Sequence, residues 1–484
     1  MAASTADEPP NDGTARGPRR ADGRGGVVGR AGVVERGGAG WRVGVGGLVS
    51  RAVRTLTSHR WLVVFCAANA LGCGVVTVRY LASLDGALGP QGEVITGDFM
   101  HFYLGGRMIL EGDGAALYDV AAQGETQARI VGPQYGKVHW YNYPPTFAVA
   151  LAPLSALPYV WAFYVYDLLM AAAMAATLWM LRPLLPALGR YWGVTVLAVV
   201  FFHPIIRNIV GGQNTVLTVF LMTGVYVGLR TDRGVLAGVF LGLLLYKPQL
   251  VLLLGLILLV RGALRPVMVA GVVGMGHYLV GAVFCGASWP MTFLKFLAWF
   301  GPVEARLNRA THFSLLRVCE FSLPAAWAHV AAGVMMLAVL AIVIRFARQH
   351  AASEAGFAVS WALAITGAVL ISPYAQYYDA GILVLPVLLG LDYVLQQGRD
   401  PSAKLRLLLV AGYVLYPIYE VSRAIQFQPL VLWPVLILIW LTGVLSGSGG
   451  SADTAGSDPP TTLWRSWLSV FRPAGAAPTT RVSR

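Results

Sequence analysis

The chain has 484 residues, 56% hydrophobic and only 12% charged, with a mean hydropathy of +0.63. Soluble domains carry about 25% charged residues, so this composition excludes an ordinary soluble enzyme. The formal net charge of +13 does not point to nucleic acid, because the arginines concentrate in the N-terminal tail and in short turns between apolar runs. That is the positive-inside pattern of a membrane protein.

Residues 1–60 are rich in Gly, Pro, Ala and Arg and hold no apolar stretch before Trp61. They read as a disordered cytoplasmic tail without a cleavable signal peptide. Arg51, Arg54 and Arg60 then precede a first span at 61–84, where Cys66 and Cys73 are expected as buried, inert thiols. The charges hold the N-terminus inside and put the polar segment 85–143 outside as a long first loop. Within it, TGDFMHFYLGGR (96–107) opens an amphipathic stretch on Asp98, with Phe102, Gly105 and Ile109 on the same helical face. This helix is expected to lie on the membrane surface through Phe99, Phe102, Tyr103, Met108, Ile109 and Leu110. Asp98 is either its N-cap, worth about 1 kcal/mol, or a reactive carboxylate. The loop ends in HWYNYPP (139–145), whose Trp140, Tyr141 and Tyr143 suit a membrane interface.

The segment 144–158 is apolar but bounded by prolines. Its 15 residues reach about 22 Å as a helix, short of a core of about 30 Å, so it reads as re-entrant. Spans follow at 159–181, 191–207, 215–229, 234–246, 250–260, 266–286, 324–344, 355–371, 380–396, 407–419 and 429–446, with a loop at 287–323. The fold class is therefore an all-α polytopic membrane protein of about 12 transmembrane helices, forming one domain over 61–446 with both termini cytoplasmic. The tail 447–484 reads as disordered, with LWRSWLSVF (463–471) resting on the inner surface. Cys285 and Cys319 flank the loop at 287–323 and are expected to stay unpaired more readily than to bridge.

In this register the polar, Pro-rich motifs GDFMHFY, YNYPP, GGQN, YKPQ and SPYAQYYD all fall on the outer face, and the Arg-only turns on the inner one. Five motifs on one side argue for a single outward-facing site. Lys247 either snorkels or holds an anionic headgroup such as a lipid phosphate, and Arg207 is a second outer cation. Arg306, Arg309 and Arg317 read as a solvated loop. Asn214 and Asp379 either cap the helices they precede or, with Gln213, Tyr378 and other polar groups of the motifs, bind sugar hydroxyls. Asp167 lies inside a span, where a carboxylate costs roughly 2.5–3.5 kcal/mol on insertion scales and a functional role is the default. His277 and Tyr278, also mid-span, read as satisfied core groups.

GDFMHFYLGGRMILEGDGAALYD, YNYPPTFAVALAPLSALP, GGQN, YKPQ and SPYAQYYD, in that order over about 96–380, resemble glycosyltransferase family 87. These are polytopic GT-C enzymes, among them polyprenol-phosphate-mannose-dependent α-(1→2)-mannosyltransferases. Members from mycolic-acid bacteria tend to carry a His-rich motif where this chain has Tyr377-Tyr378-Asp379. The resemblance implies a GT-C helical bundle in the cytoplasmic membrane with its active site facing the periplasm. It implies an inverting hexosyl transfer from a polyprenyl-phosphate-linked sugar to a glycolipid or glycan acceptor. Asp98 matches the family's acidic catalytic position, Lys247 and Arg207 would meet the donor phosphate, and Tyr103, Tyr143, Gln213, Asn214, Gln249, Tyr378 and Asp379 would bind sugar or acceptor. No cofactor and no metal are expected, since the outer loops lack a clear carboxylate cluster and no Rossmann or Walker fingerprint is present. A lipid or solute transporter is the competing reading, favoured by Pro-interrupted spans and Asp167.

Overall fold

The computed structural model describes residues 97–447 apart from 133–134, 136–137, 309–310, 351–353, 400 and 416–427, with isolated positions between 64 and 94. The tail 1–60, most of the expected span 61–84 with Cys66 and Cys73, Arg309, and residues 448–484 lie outside the described residues. The described residues are mostly helical, with no β-strand, and His312 and Gln376 form an isolated bridge.

Among the described residues, five helical stretches are long and apolar enough to cross a membrane: Tyr159–Leu184, Leu264–Cys285, Ala325–Gln349, Tyr377–Gln396 and Pro429–Ser446. The expected span 191–207 is instead two helices, α5 (Trp192–Val200) and α6 (His203–Gly211), bent by 50°. Pro204 in the first turn of α6 explains the break, because it has no N–H to give to the Val200 carbonyl and its ring would clash with that carbonyl if α5 ran on. Counted as one span, the pair makes six among the described residues, which leave out most of the expected span 61–84. Other expected crossings are apolar helices of 18 residues or fewer, among them α7 (Thr215–Arg230), α8 (Gly234–Leu243) and α9 (Pro248–Val260). At 1.5 Å per residue the longest of these three reaches about 24 Å.

Two expectations are corrected. The first concerns α1 (Phe99–Leu110), which does not lie with an apolar face on a membrane. Phe99, Met100, Phe102, Tyr103, Leu104, Met108 and Ile109 are all buried within the protein, and only Leu110 of its apolar side chains is exposed. α1 packs on α3 (Pro145–Ser155), the segment read as re-entrant, whose 11 residues span only about 16 Å. Gly105 and Gly106 make this possible: a Cβ at Gly105 would strike the Tyr141 ring, and one at Gly106 would strike Ser155 Oγ. An apolar face can be buried against protein as well as lipid, and its pattern is the same in both cases. The second correction is the expected loop 287–323, which is largely helical: α11 (Trp289–Leu307) and α12 (Leu315–Ser322), each followed by a short break.

The remaining elements build the frame. α2 (Val120–Val131) packs on α1, and α4 (Tyr159–Leu181) runs beside α7. α10 (Leu264–Cys285) lies against α8 and α3, tied to α3 by the 2.6 Å contact of His277 Nδ1 with Thr146 Oγ1. His277 is thus a satisfied packing group, as expected. At the centre α14 (Glu354–Ile371) touches α13 (Ala325–Gln349), α15 (Val384–Gln396) and α16 (Leu432–Gly447). Cys285 and Cys319 are free thiols.

Candidate active site

The five polar motifs meet. Three of their meeting points are breaks between helices, and each break has a local cause. Gly212 ends α6 in the left-handed conformation (φ +64°), so the chain turns sharply into Gln213-Asn214 and α7. A Cβ at Gly212 would collide with Phe99 Cβ, so glycine also permits this turn to sit against the start of α1. Pro248 begins α9 and keeps Lys247 out of helical geometry (φ −120°, ψ 74°), which interrupts the chain between the 3-10 turn Leu244–Tyr246 and α9. The third break is 372–376. It pairs with the link between α11 and α12 through Phe313 N–H to Ala375 O (3.0 Å) and Tyr377 N–H to Thr311 O (2.9 Å).

Asp98 stands before α1 but does not cap it. Its backbone is helical (φ −76°, ψ −16°) and its side chain accepts no bond from the first turn. Its Oδ2 accepts a hydrogen bond from Gln213 Nε2 instead. Burial raises its pKa above the usual aspartate range; the Gln213 bond and Arg207 oppose this, while the charges of Glu304 and Asp379 add to it. Gln213, expected at the sugar, is therefore the group that holds Asp98.

Lys247 Nζ donates to Asp379 Oδ1 at 2.8 Å, with the two side chains 7% and 11% exposed. Asp379 also accepts from Thr215 Oγ1 (3.2 Å) and, through Oδ2, from Gln376 N–H (3.2 Å). The capping role weighed for Asp379 is real, and the ion pair is added to it. Beside the pair is a cavity of about 120 Å³ lined by Tyr143, Tyr246, Lys247, Gln249, Tyr378 and Asp379, among others. A water needs roughly 10–15 Å³ on this measure, so the space exceeds a packing defect. Glu304 of α11 lines it too, a residue the sequence reading passed over. Its Oε1 accepts from Gln376 Nε2 (2.6 Å) and Asn308 Nδ2 (3.0 Å), and its Oε2 lies 2.6 Å from His312 Nε2. The available signal was an acid in the apolar run WFGPVE, at odds with the solvated loop expected there.

The other expected residues divide. Asn214 is fully buried, makes no cap bond and ends beside the Tyr143 phenol, whose pKa burial pushes up. Arg207 does not line the cavity; its Nη2 lies 3.2 Å from Tyr377 Oη, and its charge reaches Asp98. Tyr103 is away from the cavity, its hydroxyl donating to Leu157 O at 2.8 Å. Asp167 and Arg306 do not line it either, and Arg317 pairs with Glu320 at 2.6 Å.

A second grouping shares Asp98. Ligand atoms of Asp98, His101 and His139 all fall within 4.8 Å of one another. Burial, and then the neighbouring His139, hold the His101 imidazole down at about 3. The sequence carries no local sign of this grouping, because 38 positions separate His101 from His139 along the chain.

Residues 140–373 match the family model for glycosyltransferase family 87. That similarity covers just under half of the chain. Among curated proteins and among solved structures nothing matches it. The family 87 segment holds the cavity residues from Asn142 to Ser372, while Asp98 lies before it and Asp379 after it. A family 87 protein is a glycosyltransferase, so the chemistry to be placed at this site is the movement of a sugar.

Proposed function

We propose that the protein is an inverting glycosyltransferase that moves a hexose, with mannose the first candidate, from a polyprenyl phosphate to a hydroxyl of a lipid- or polysaccharide-linked acceptor. Asp98 takes the proton of the acceptor hydroxyl. The acceptor oxygen forms the new bond to the anomeric carbon, the bond to the lipid phosphate breaks, and its electron pair leaves with the phosphate. The observation that carries this reading is the state of Asp98. Its carboxylate is not spent on the helix start but is held by Gln213, and its charge reaches two cavity acids, Glu304 and Asp379. A general base must be fixed within hydrogen-bonding reach of the proton it takes, and a side-chain amide on one oxygen does this.

Lys247 serves the donor phosphate. One of its three N–H groups goes to Asp379, which leaves two for phosphate oxygens. Arg207 supports the negative charge from the Asp98 side. Tyr143, Gln249, Tyr378 and Asp379 line the space in which a sugar would lie. The positive-inside bias of the arginine turns supports a site at the outer face of the cytoplasmic membrane, with the termini inside. The test is direct. Purified protein in lipid is given a panel of polyprenyl-phosphate sugars and glycolipid acceptors, and released polyprenyl phosphate is measured. Release with one donor, dependent on acceptor, is expected. Movement of intact lipid between leaflets with no release from any donor would establish the transporter reading instead.

A further inference from the structure

From the convergence of Asp98, His101 and His139 we infer that the protein binds a divalent first-row transition cation of the zinc type at these three side chains. Two segments build the place. Asp98 and His101 are three residues apart at the first turn of α1, which puts them on one face. His139 comes from the strap that returns to α3, and its backbone N–H is fixed by Gln127 Oε1 of α2 at 2.7 Å. The second observation is an orphaned donor-acceptor atom: His101 Nε2 is shielded from solvent and has no hydrogen-bond partner. A buried polar atom left unpaired is costly, and a cation removes that cost.

The donor set decides the class of ion. Two imidazoles and one carboxylate suit zinc and its neighbours, whereas magnesium and calcium prefer oxygen alone. Three protein ligands also leave a position open for water or a substrate oxygen. Ligands about 2.0–2.1 Å from zinc stand at most roughly 4.2 Å apart, so the present spread of up to 4.8 Å closes by small side-chain rotations. Metal-bound imidazoles commonly give their other nitrogen to an oxygen, and Tyr135 Oη stands 3.0 Å from His139 Nε2. Asp98 can take part without giving up Gln213, because a carboxylate has two oxygens. The cation site shares Asp98 with the proposed transfer but does not depend on it.

The experiment uses the full-length, tag-free protein in nanodiscs, stripped with a chelator and titrated with Zn²⁺ against a chromogenic chelator, and separately with Co²⁺. One zinc per chain is expected. His101→Ala and His139→Ala should each weaken it on the order of 100-fold or more, since even partners outside the ligand set cost 10–100-fold. His329→Ala, at an exposed histidine paired with Glu320, should leave it unchanged. If the alanine variants do not fold, His101→Asn and His139→Gln take their place, and the visible absorption of Co²⁺ bound to the wild type reports nitrogen and oxygen ligation directly. Absence of saturable Zn²⁺ and of a Co²⁺ spectrum, or binding that both histidine variants leave intact, overturns the inference. None of these readouts involves sugar transfer, so failure here leaves the proposed reaction standing, and failure of that reaction leaves the cation site standing.

Discussion

Replacing Lys247 by Met removes the cation from Asp379 and tests stability and binding separately. The pair is 2.8 Å apart and nearly enclosed. Breaking a buried pair by removing one partner costs about 3–5 kcal/mol, because the other charge is left without compensation. Here Asp379 keeps hydrogen bonds from Thr215 and Gln376, and the adjoining cavity admits water, so the cost falls at the lower end, about 3 kcal/mol. The double change Lys247→Met with Asp379→Leu removes both charges and should recover all but about 2 kcal/mol, the two lost hydrogen bonds at about 1 kcal/mol each. Unfolding in detergent measures this cycle. Affinity for a polyprenyl-phosphate sugar, measured on the same proteins, should fall roughly 10–100-fold in Lys247→Met, the worth of one charged hydrogen bond. It should stay low in the double variant. A Lys247→Met protein as stable as wild type would refute the buried pair. A double variant that binds donor like wild type would show that Lys247 serves structure alone.

Tyr103→Phe should cost about 1 kcal/mol through loss of the bond to Leu157 O and leave transfer near wild type. A tenfold fall in transfer at unchanged stability would put Tyr103 back at the site. Gly212→Ala should cost roughly 1–2 kcal/mol of backbone strain and, by driving Phe99 away, should lower transfer as well. Wild-type melting and transfer together would show that the position of Gln213 does not depend on that close approach.

Legibility differed with the kind of information involved. The helical class and the membrane character follow from apolar runs and scarce charge, which are properties of composition. The meeting of the polar motifs was foreseeable because Pro248, Gly212 and the prolines of YNYPP interrupt helices wherever they occur, and interrupted backbone gathers at sites. What covers a helix was not legible. The apolar face of α1 reads the same whether lipid or α3 lies against it, and only Gly105 and Gly106 hinted at a close protein neighbour. Pairings between distant positions were equally hidden. Asp98 with Gln213 and Lys247 with Asp379 are 115 and 132 residues apart, and local rules assigned each of the four to a cap, a ligand or a free charge. Glu304 was missed because its segment was read as a loop, which removed the reason to ask why an acid stood among aromatic residues.

Asp98→Asn in the transfer assay bears most directly on the proposed reaction. The side chain makes no cap bond, and an Asn oxygen can still accept from Gln213 Nε2, so the helix start and the local geometry should survive. Folding and donor affinity are expected near wild type, while release of polyprenyl phosphate should fall roughly 10²–10⁴-fold, the usual contribution of a positioned base. An Asp98→Asn protein that transfers sugar at close to the wild-type rate would contradict the assignment of Asp98 as the base.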